Sequence, residues 1–470
     1  MGYRSIAMAV VASIALVLTP ISSDAATPKT GTTCAKAGVV AVSSGYKYTC
    51  TKSGKKLVWG AGQKIASPTP KPIASGEPNP SGSALESPFS VCELQDTRKV
   101  DGSPNLASSF TVNSSRVLPT TGEINIAILP FDFSDYPGDG DPSALTVAAI
   151  EKANDWIKAQ SSGRLKYNWQ TTNKWLRLAK PSKFYNFDEH KDPSTYAQTE
   201  QAMAQQYMDA ADKTFDLSKI QVAIFIFPKS TDGIPLGGYS HGYTLNSSHG
   251  PIKPVYFGGE FNFPTSMGMS DIWMHEIGHF QGVAGHAPGN GSPWHIMANQ
   301  FGLARVMDAW DSAILGWLDG ANLYCFDKAK FTSSATTIQL DSIDGPRTGK
   351  VAAFIKVNNS QEIVLESRKP GIYSNLPKEG QGLLAYLVDT SVTNQRCDSC
   401  EPSLALDKKQ FAYYLRVDNQ SPSRGMLQGF YGPPFDLNQL ASPGESFTYG
   451  DIHIKYVSSG ANDLVQVSRY

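Results

Sequence analysis

The spacing of apolar residues changes several times along the chain. Residues 124–133 and 220–227 are nearly unbroken apolar runs, rich in β-branched or aromatic residues, and predict strands buried on both faces. Residues 145–160 and 195–213 carry apolar positions at helical spacing. Residues 165–178 alternate and are rich in Trp and Tyr, which predicts β structure. Residues 306–318 again have helical spacing. Beyond Leu318 the helical period disappears. Short alternating runs recur at 336–340, 351–357, 362–367, 382–388 and 453–457, with turn residues between them. The pattern implies an α+β chain, with mixed sheet and helices over 91–320 and a β-sandwich-like domain over 321–470.

The N-terminus follows a different logic. Arg4 precedes an apolar run over 6–18, then Pro20, with small residues at Ser23 and Ala25. That is the form of a secretory signal peptide, residues 1–25. The run is shorter than the ~20 residues of a spanning helix, and no later stretch reaches that length. The mature chain is therefore expected outside the cell, with no membrane span after cleavage. Residues 26–62 hold Cys34, Tyr46, Tyr48, Cys50 and Trp59. Two short strands closed by a Cys34–Cys50 bridge fit so small a unit. It resembles a short Cys/Trp module of secreted bacterial proteins, which implies a cell-envelope contact or a passive cap. Residues 63–90, rich in Pro and Ser, form a linker.

Composition adds two constraints. There are 41 Lys+Arg against 42 Asp+Glu, and this balance argues against a nucleic-acid partner, which calls for a basic excess. The six cysteines are an even set in an exported chain, so disulfides are expected: Cys34–Cys50, Cys92–Cys325 and Cys397–Cys400.

The candidate chemistry is concentrated. Six of the eight histidines fall between His241 and His295. Within that window lies His275-Glu276-Ile277-Gly278-His279. On a helix the two His project from one face, one turn apart. They can share one Zn²⁺ while Glu276 acts as general base toward the activated water. Ser270 or Asp271 is expected to cap the helix start. Gly282 suits a left-handed turn that ends the helix and returns His286 to the metal as third ligand. Asp308 or Asp311 is the rival third ligand. His295 precedes Ile296-Met297 and suits packing or support of a ligand better than ligation. His241 and His249 read as loop histidines. Asp132, Asp135, Asp139 and Asp141 lie among glycines, where an acidic surface loop or a Ca²⁺ site is conceivable.

HExxH followed by Gly, a further ligand and a Met-containing turn resembles a metzincin-type zinc protease. The closer resemblance is to the immune-inhibitor-A-like secreted metalloproteases. It is carried also by residues 128–137, by 161–166, by Leu315-Gly316-Trp317, by Glu366-Ser367-Arg368, by 382–389 and by 443–447. The resemblance implies a metzincin-like zinc protease domain, a protein or peptide substrate, one catalytic Zn²⁺ and Met297 as an apolar floor beneath it. The chain departs from the pattern after the second His: Gly285 stands where an Asp or His is usual, and His286 comes one residue later. A non-catalytic envelope or adhesion protein, or a zinc amidase acting on cell-wall peptides, are the alternative readings.

Overall fold

Strands buried on two faces need a layer on each side, and the architecture follows from that requirement. The computed structural model describes residues 29–43, 46–64, 84–95, 109–110, 118–185, 196–228, 238–240, 243–257, 269–283, 292–391, 412–419, 426–427 and 435–470. The signal segment, most of the linker, His241, His286, Cys397 and Cys400 lie outside the described residues. The chain divides into two units, Met1–Glu77 and Pro78–Tyr470.

The described residues of the first unit form a small antiparallel sheet. Strand β2 (Tyr46–Ser53) pairs with β1 (Val40–Ser43), β3 (Lys56–Trp59) and β4 (Gln63–Lys64). Cys50 is buried and bonded to Cys34, as expected. Cross-strand pairing sets Cys50 opposite Trp59. So small a sheet has little core, and the cross-link restricts the unfolded chain instead.

The second unit begins with a seven-stranded sheet. Its strands are β5 (Gly122–Asp132), β6 (Leu165–Gln170), β7 (Leu176–Arg177), β8 (Val222–Ile226), β9 (Gly238–Ser240), β10 (Leu245–Ser247) and β11 (Gly250–Phe257). The central strands β6, β5, β8 and β11 run parallel. Parallel neighbours need crossovers, and helices α1 (Val147–Gln160) and α2 (Tyr196–Ala211) lie in the connections. Alternation divides the sheet cleanly. Ile124, Ile126, Ile128, Val222 and Ile224 face a core with α1, whereas Leu129, Phe131, Phe225 and Phe227 face a second core with Tyr207 and Met208 of α2. Helix α3 (Met269–Phe280) and helix α4 (Ala309–Ile314) join α1 in the first of these cores.

The β-rich region contributes the remaining layers. Strands β12 (Leu323–Asp327), β13 (Thr336–Leu340), β14 (Ala352–Lys356), β15 (Gln361–Arg368), β16 (Gly382–Asp389) and β17 (Ala412–Tyr414) come first. A two-stranded ribbon of β18 (Met426–Leu427) and β19 (Phe435–Asp436) follows, then β20 (Leu440–Ala441), β21 (Ser446–Tyr449), β22 (Ile452–Ser458) and β23 (Asp463–Arg469). A six-stranded sheet holds β12, β14, β15, β16, β17 and β20, and a four-stranded sheet runs β13-β23-β22-β21. The two sheets share a core of residues such as Ile363, Leu365, Ala385, Ile454 and Val467. The other face of the six-stranded sheet is buried too. Phe354, Val364, Leu384, Tyr386 and Tyr414 pack into the same core as α1, α3 and α4. The layers therefore run α2, seven-stranded sheet, α1 with α3 and α4, six-stranded sheet, four-stranded sheet. The fold is mixed α+β, with one apolar core spanning residues on both sides of position 320.

Residues 84–95, part of which reads as linker by composition, strap onto β12. Cys92 is bonded to Cys325, the pairing expected from sequence, and Ser87 N–H donates to the Cys325 carbonyl at 2.7 Å. No helix of the described residues is long and apolar enough to cross a membrane.

Candidate metal centre

Helix α3 carries the HExxH residues as the spacing predicts. Ile272, Trp273, Met274, Ile277 and Phe280 are buried, so the helix is apolar almost all round and sits within the layers rather than on them. Gly282 adopts φ +86 and ends it, the left-handed turn that a residue with a Cβ disfavours. Leu118 N–H donates to the Phe280 carbonyl at 2.8 Å and occupies one of the last open acceptors. The expectation for the helix start is corrected. The helix already begins at Met269, so Ser270 and Asp271 lie inside it, and Asp271 instead pairs with Arg305 at 3.0 Å.

His275, Glu276 and His279 bring one ligand atom each within 4.8 Å of one another. The Nε2 atoms of His275 and His279 are 3.1 Å apart, with the rings nearly perpendicular at 86°. His275 Nδ1 lies 2.8 Å from the Ile296 carbonyl oxygen. A carbonyl only accepts, so Nδ1 carries a proton, and in the neutral ring Nε2 is then the lone pair that faces the site. Zn–N distances of about 2.0–2.1 Å with tetrahedral angles place two ligand nitrogens about 3.3 Å apart. The donor set and its spacing thus fit Zn²⁺. His275 and Glu276 are buried, while His279 is half-buried and marks the accessible edge.

The Met-containing turn packs beneath this helix. Met297 is fully buried, and a Cβ on Gly278 would come within 2.6 Å of its sulfur. Gly278 therefore allows the close approach of turn and helix between the two histidines. The turn is held from several sides. Ile296 N–H donates to the Val306 carbonyl at 3.0 Å, Asn299 N–H to the His295 carbonyl at 2.9 Å, and Arg368 Nη1 to the Trp294 carbonyl at 2.6 Å. Reasoning from sequence did not single out the Ile296 carbonyl or Gly278, because neither acts through a distinctive side chain.

The rival ligands have another place. Asp308 and Asp311 gather with His295, all three buried, in a second group of ligand atoms within 4.8 Å. His295 Nε2 is 3.4 Å from Asp311 Oδ2 and 3.8 Å from Asp308 Oδ2. Asp308 also caps α4, its Oδ1 accepting from Asp311 N–H at 2.7 Å. Both acids are buried, and the six-stranded sheet packs against the start of α4. From that sheet Glu366 accepts from Ala309 N–H at 2.7 Å and from Tyr386 Oη–H at 2.6 Å, and it pairs with buried Arg368. Burial raises the Asp308 and Asp311 carboxyls above the usual carboxylate range, and at Asp311 the charges of Asp308 and Glu366 push further the same way.

The remaining candidates disperse. Asp132 receives a two-pronged contact from Arg177 at 2.6 and 2.7 Å and a bond from Gly138 N–H. Asp135 accepts from Ser182, and Asp141 from Ser143 N–H. No three of Asp132, Asp135, Asp139 and Asp141 form a metal-ligand group among the described residues. His249 is exposed in the turn between β10 and β11.

No family model matches the chain, and no curated protein matches it. Among solved structures it is similar to wild-type OgpA from Akkermansia muciniphila, at 12% identity and a TM-score of 0.25, over 61% of this chain and 86% of that one. A superposition at that level carries no inference about fold or activity.

Proposed function

We propose that the chain is a secreted zinc-dependent endopeptidase. His275 and His279 hold the metal, His286 is the third ligand, and Glu276 is the general base. The observation that carries this reading is the pair of imidazole Nε2 atoms 3.1 Å apart, one of them with its tautomer fixed by the Ile296 carbonyl. The resemblance of the motif to immune-inhibitor-A-like metalloproteases supports it, and the two disulfides suit an oxidising compartment.

Zinc held there would supply Lewis acidity toward a water molecule and the scissile carbonyl. The chain's own residues do the rest. Glu276, next to His275 in sequence and one turn from His279, accepts a proton from the attacking water and passes it to the leaving amine, a role worth about 10²–10⁴-fold. The Ile296 carbonyl keeps His275 from rotating, and Met297 closes the underside of the site to water.

The test is Glu276→Ala with cleavage of an unfolded protein as readout. Cleavage should vanish while zinc content is kept. Undiminished cleavage by a folded variant would sink the mechanism. Activity of the unaltered chain on peptidoglycan peptides, with none on protein, would move the reading to a zinc amidase.

A further inference from the structure

The cluster of His295, Asp308 and Asp311 is a second buried group of metal-ligand side chains among the described residues, outside the HExxH group. Glu366 and Arg368 pair with each other, and Tyr386 donates to Glu366. Beside them stand two carboxylates and one imidazole, all at most 4% exposed. Two like charges in so dry a place require either protons or a cation.

The spacing of the three ligand atoms favours a cation. A charge-assisted hydrogen bond between imidazolium and carboxylate closes to about 2.7–2.9 Å. Here Nε2 stops at 3.4 and 3.8 Å from the two carboxylate oxygens. Zn–N of about 2.0–2.1 Å and Zn–O of about 2.0–2.2 Å with tetrahedral angles give ligand separations of about 3.4 Å. The remaining Asp308 oxygen is turned away to cap α4, which leaves Oδ2 directed at the cluster. One nitrogen and two carboxylate oxygens suit zinc and fall far short of the 6–8 oxygens that Ca²⁺ takes.

We propose that His295, Asp308 and Asp311 bind a second Zn²⁺, a structural ion that ties the Met-containing turn to helix α4. The ion neutralises both carboxylates. It also fixes the backbone at Ile296, whose carbonyl orients His275. The site consists of residues outside the HExxH group, so its existence does not depend on the endopeptidase reading.

The experiment counts and locates zinc in the full chain, expressed and purified with zinc present. Elemental analysis should find about two ions per chain, falling to about one in His275→Ala/His279→Ala. Crystals of that variant should show zinc-edge anomalous density among His295, Asp308 and Asp311. Adding Asp311→Asn, or the milder His295→Gln, should remove the remaining ion. A folded His275→Ala/His279→Ala protein with no zinc and no anomalous peak at the cluster overturns the proposal. The anomalous map needs no substitution at the cluster itself, so misfolding of the cluster variants does not blunt the test. Absence of zinc at His275 and His279, with a peak at the cluster, would count against the endopeptidase reading alone.

Discussion

The two groups of metal-ligand side chains differ in how they are built. His275, Glu276 and His279 come from two consecutive turns of one helix, and His279 keeps an accessible edge. His295, Asp308 and Asp311 come from a turn and a short helix pressed onto a sheet strand, and none of them reaches solvent. The first arrangement can serve a substrate. The second can only serve the fold. Yet they are joined: the backbone on either side of His295 gives one carbonyl to His275 and another to Arg368. The contrast predicts that changes around the first group remove activity while changes around the second remove stability.

Breaking the wall of the second group should have the largest effect. Arg368→Met strands buried Glu366 and the Trp294 carbonyl, and should lower unfolding free energy by about 3–5 kcal/mol. Chemical denaturation followed by tryptophan fluorescence measures it. A loss under about 1 kcal/mol would mean that the network does not anchor the turn.

A smaller effect of opposite sign comes from Glu362, four residues earlier on the same face of β15. It is fully buried, and neither carboxylate oxygen has a hydrogen-bond partner among the described residues. Burial pushes its carboxyl well above the usual carboxylate range, against the pull of Lys356 opposite. A raised folded-state pKa means that the protonated form favours the fold. Stability from this residue is therefore fullest below the ordinary carboxylate pKa and falls as pH rises toward the folded value. Glu362→Met should stabilise the protein by about 1–3 kcal/mol at pH 8, with a narrower gap at pH 4. Denaturation midpoints at the two pH values check this, and a gap that widens in acid contradicts it.

The smallest effect tests where the two groups meet. Gly278→Ala drives a Cβ to within 2.6 Å of the Met297 sulfur. Overpacking of about 1–3 kcal/mol outweighs the about 1 kcal/mol gained by placing Ala in a helix. A net loss of about 1 kcal/mol is expected, together with reduced cleavage, because Met297 adjoins the carbonyl that holds His275. Full activity in a destabilised variant would show that the turn and the site are uncoupled.

Much of the fold was legible because its signals are local. The run at 124–133 became β5, the helical spacing at 145–160 and 195–213 became α1 and α2, and 336–340 became β13. Export and an even cysteine count pointed to disulfides without selecting partners, and the Cys92–Cys325 pair is present. The six-stranded sheet was harder to read. Its strands alternate, but both faces are apolar, so alternation could not say that one face meets a second sheet and the other the helices of the candidate site. The burial of Asp308 and Asp311 could not be read from 306–318, because helical spacing says nothing of what covers the helix.

The sequence by itself determined the HExxH geometry, since a helix repeats every 3.6 residues and fixes which side chains share a face. It also determined where that helix stops, since Gly282 permits a backbone conformation that other residues resist. Tertiary structure alone decided the tautomer of His275, the place of Met297 under Gly278 and the gathering of His295 with two aspartates. Each of these depends on groups far apart in the chain, or on backbone atoms that every residue carries. Local pattern cannot encode such contacts, and only packing of the layers brings them together.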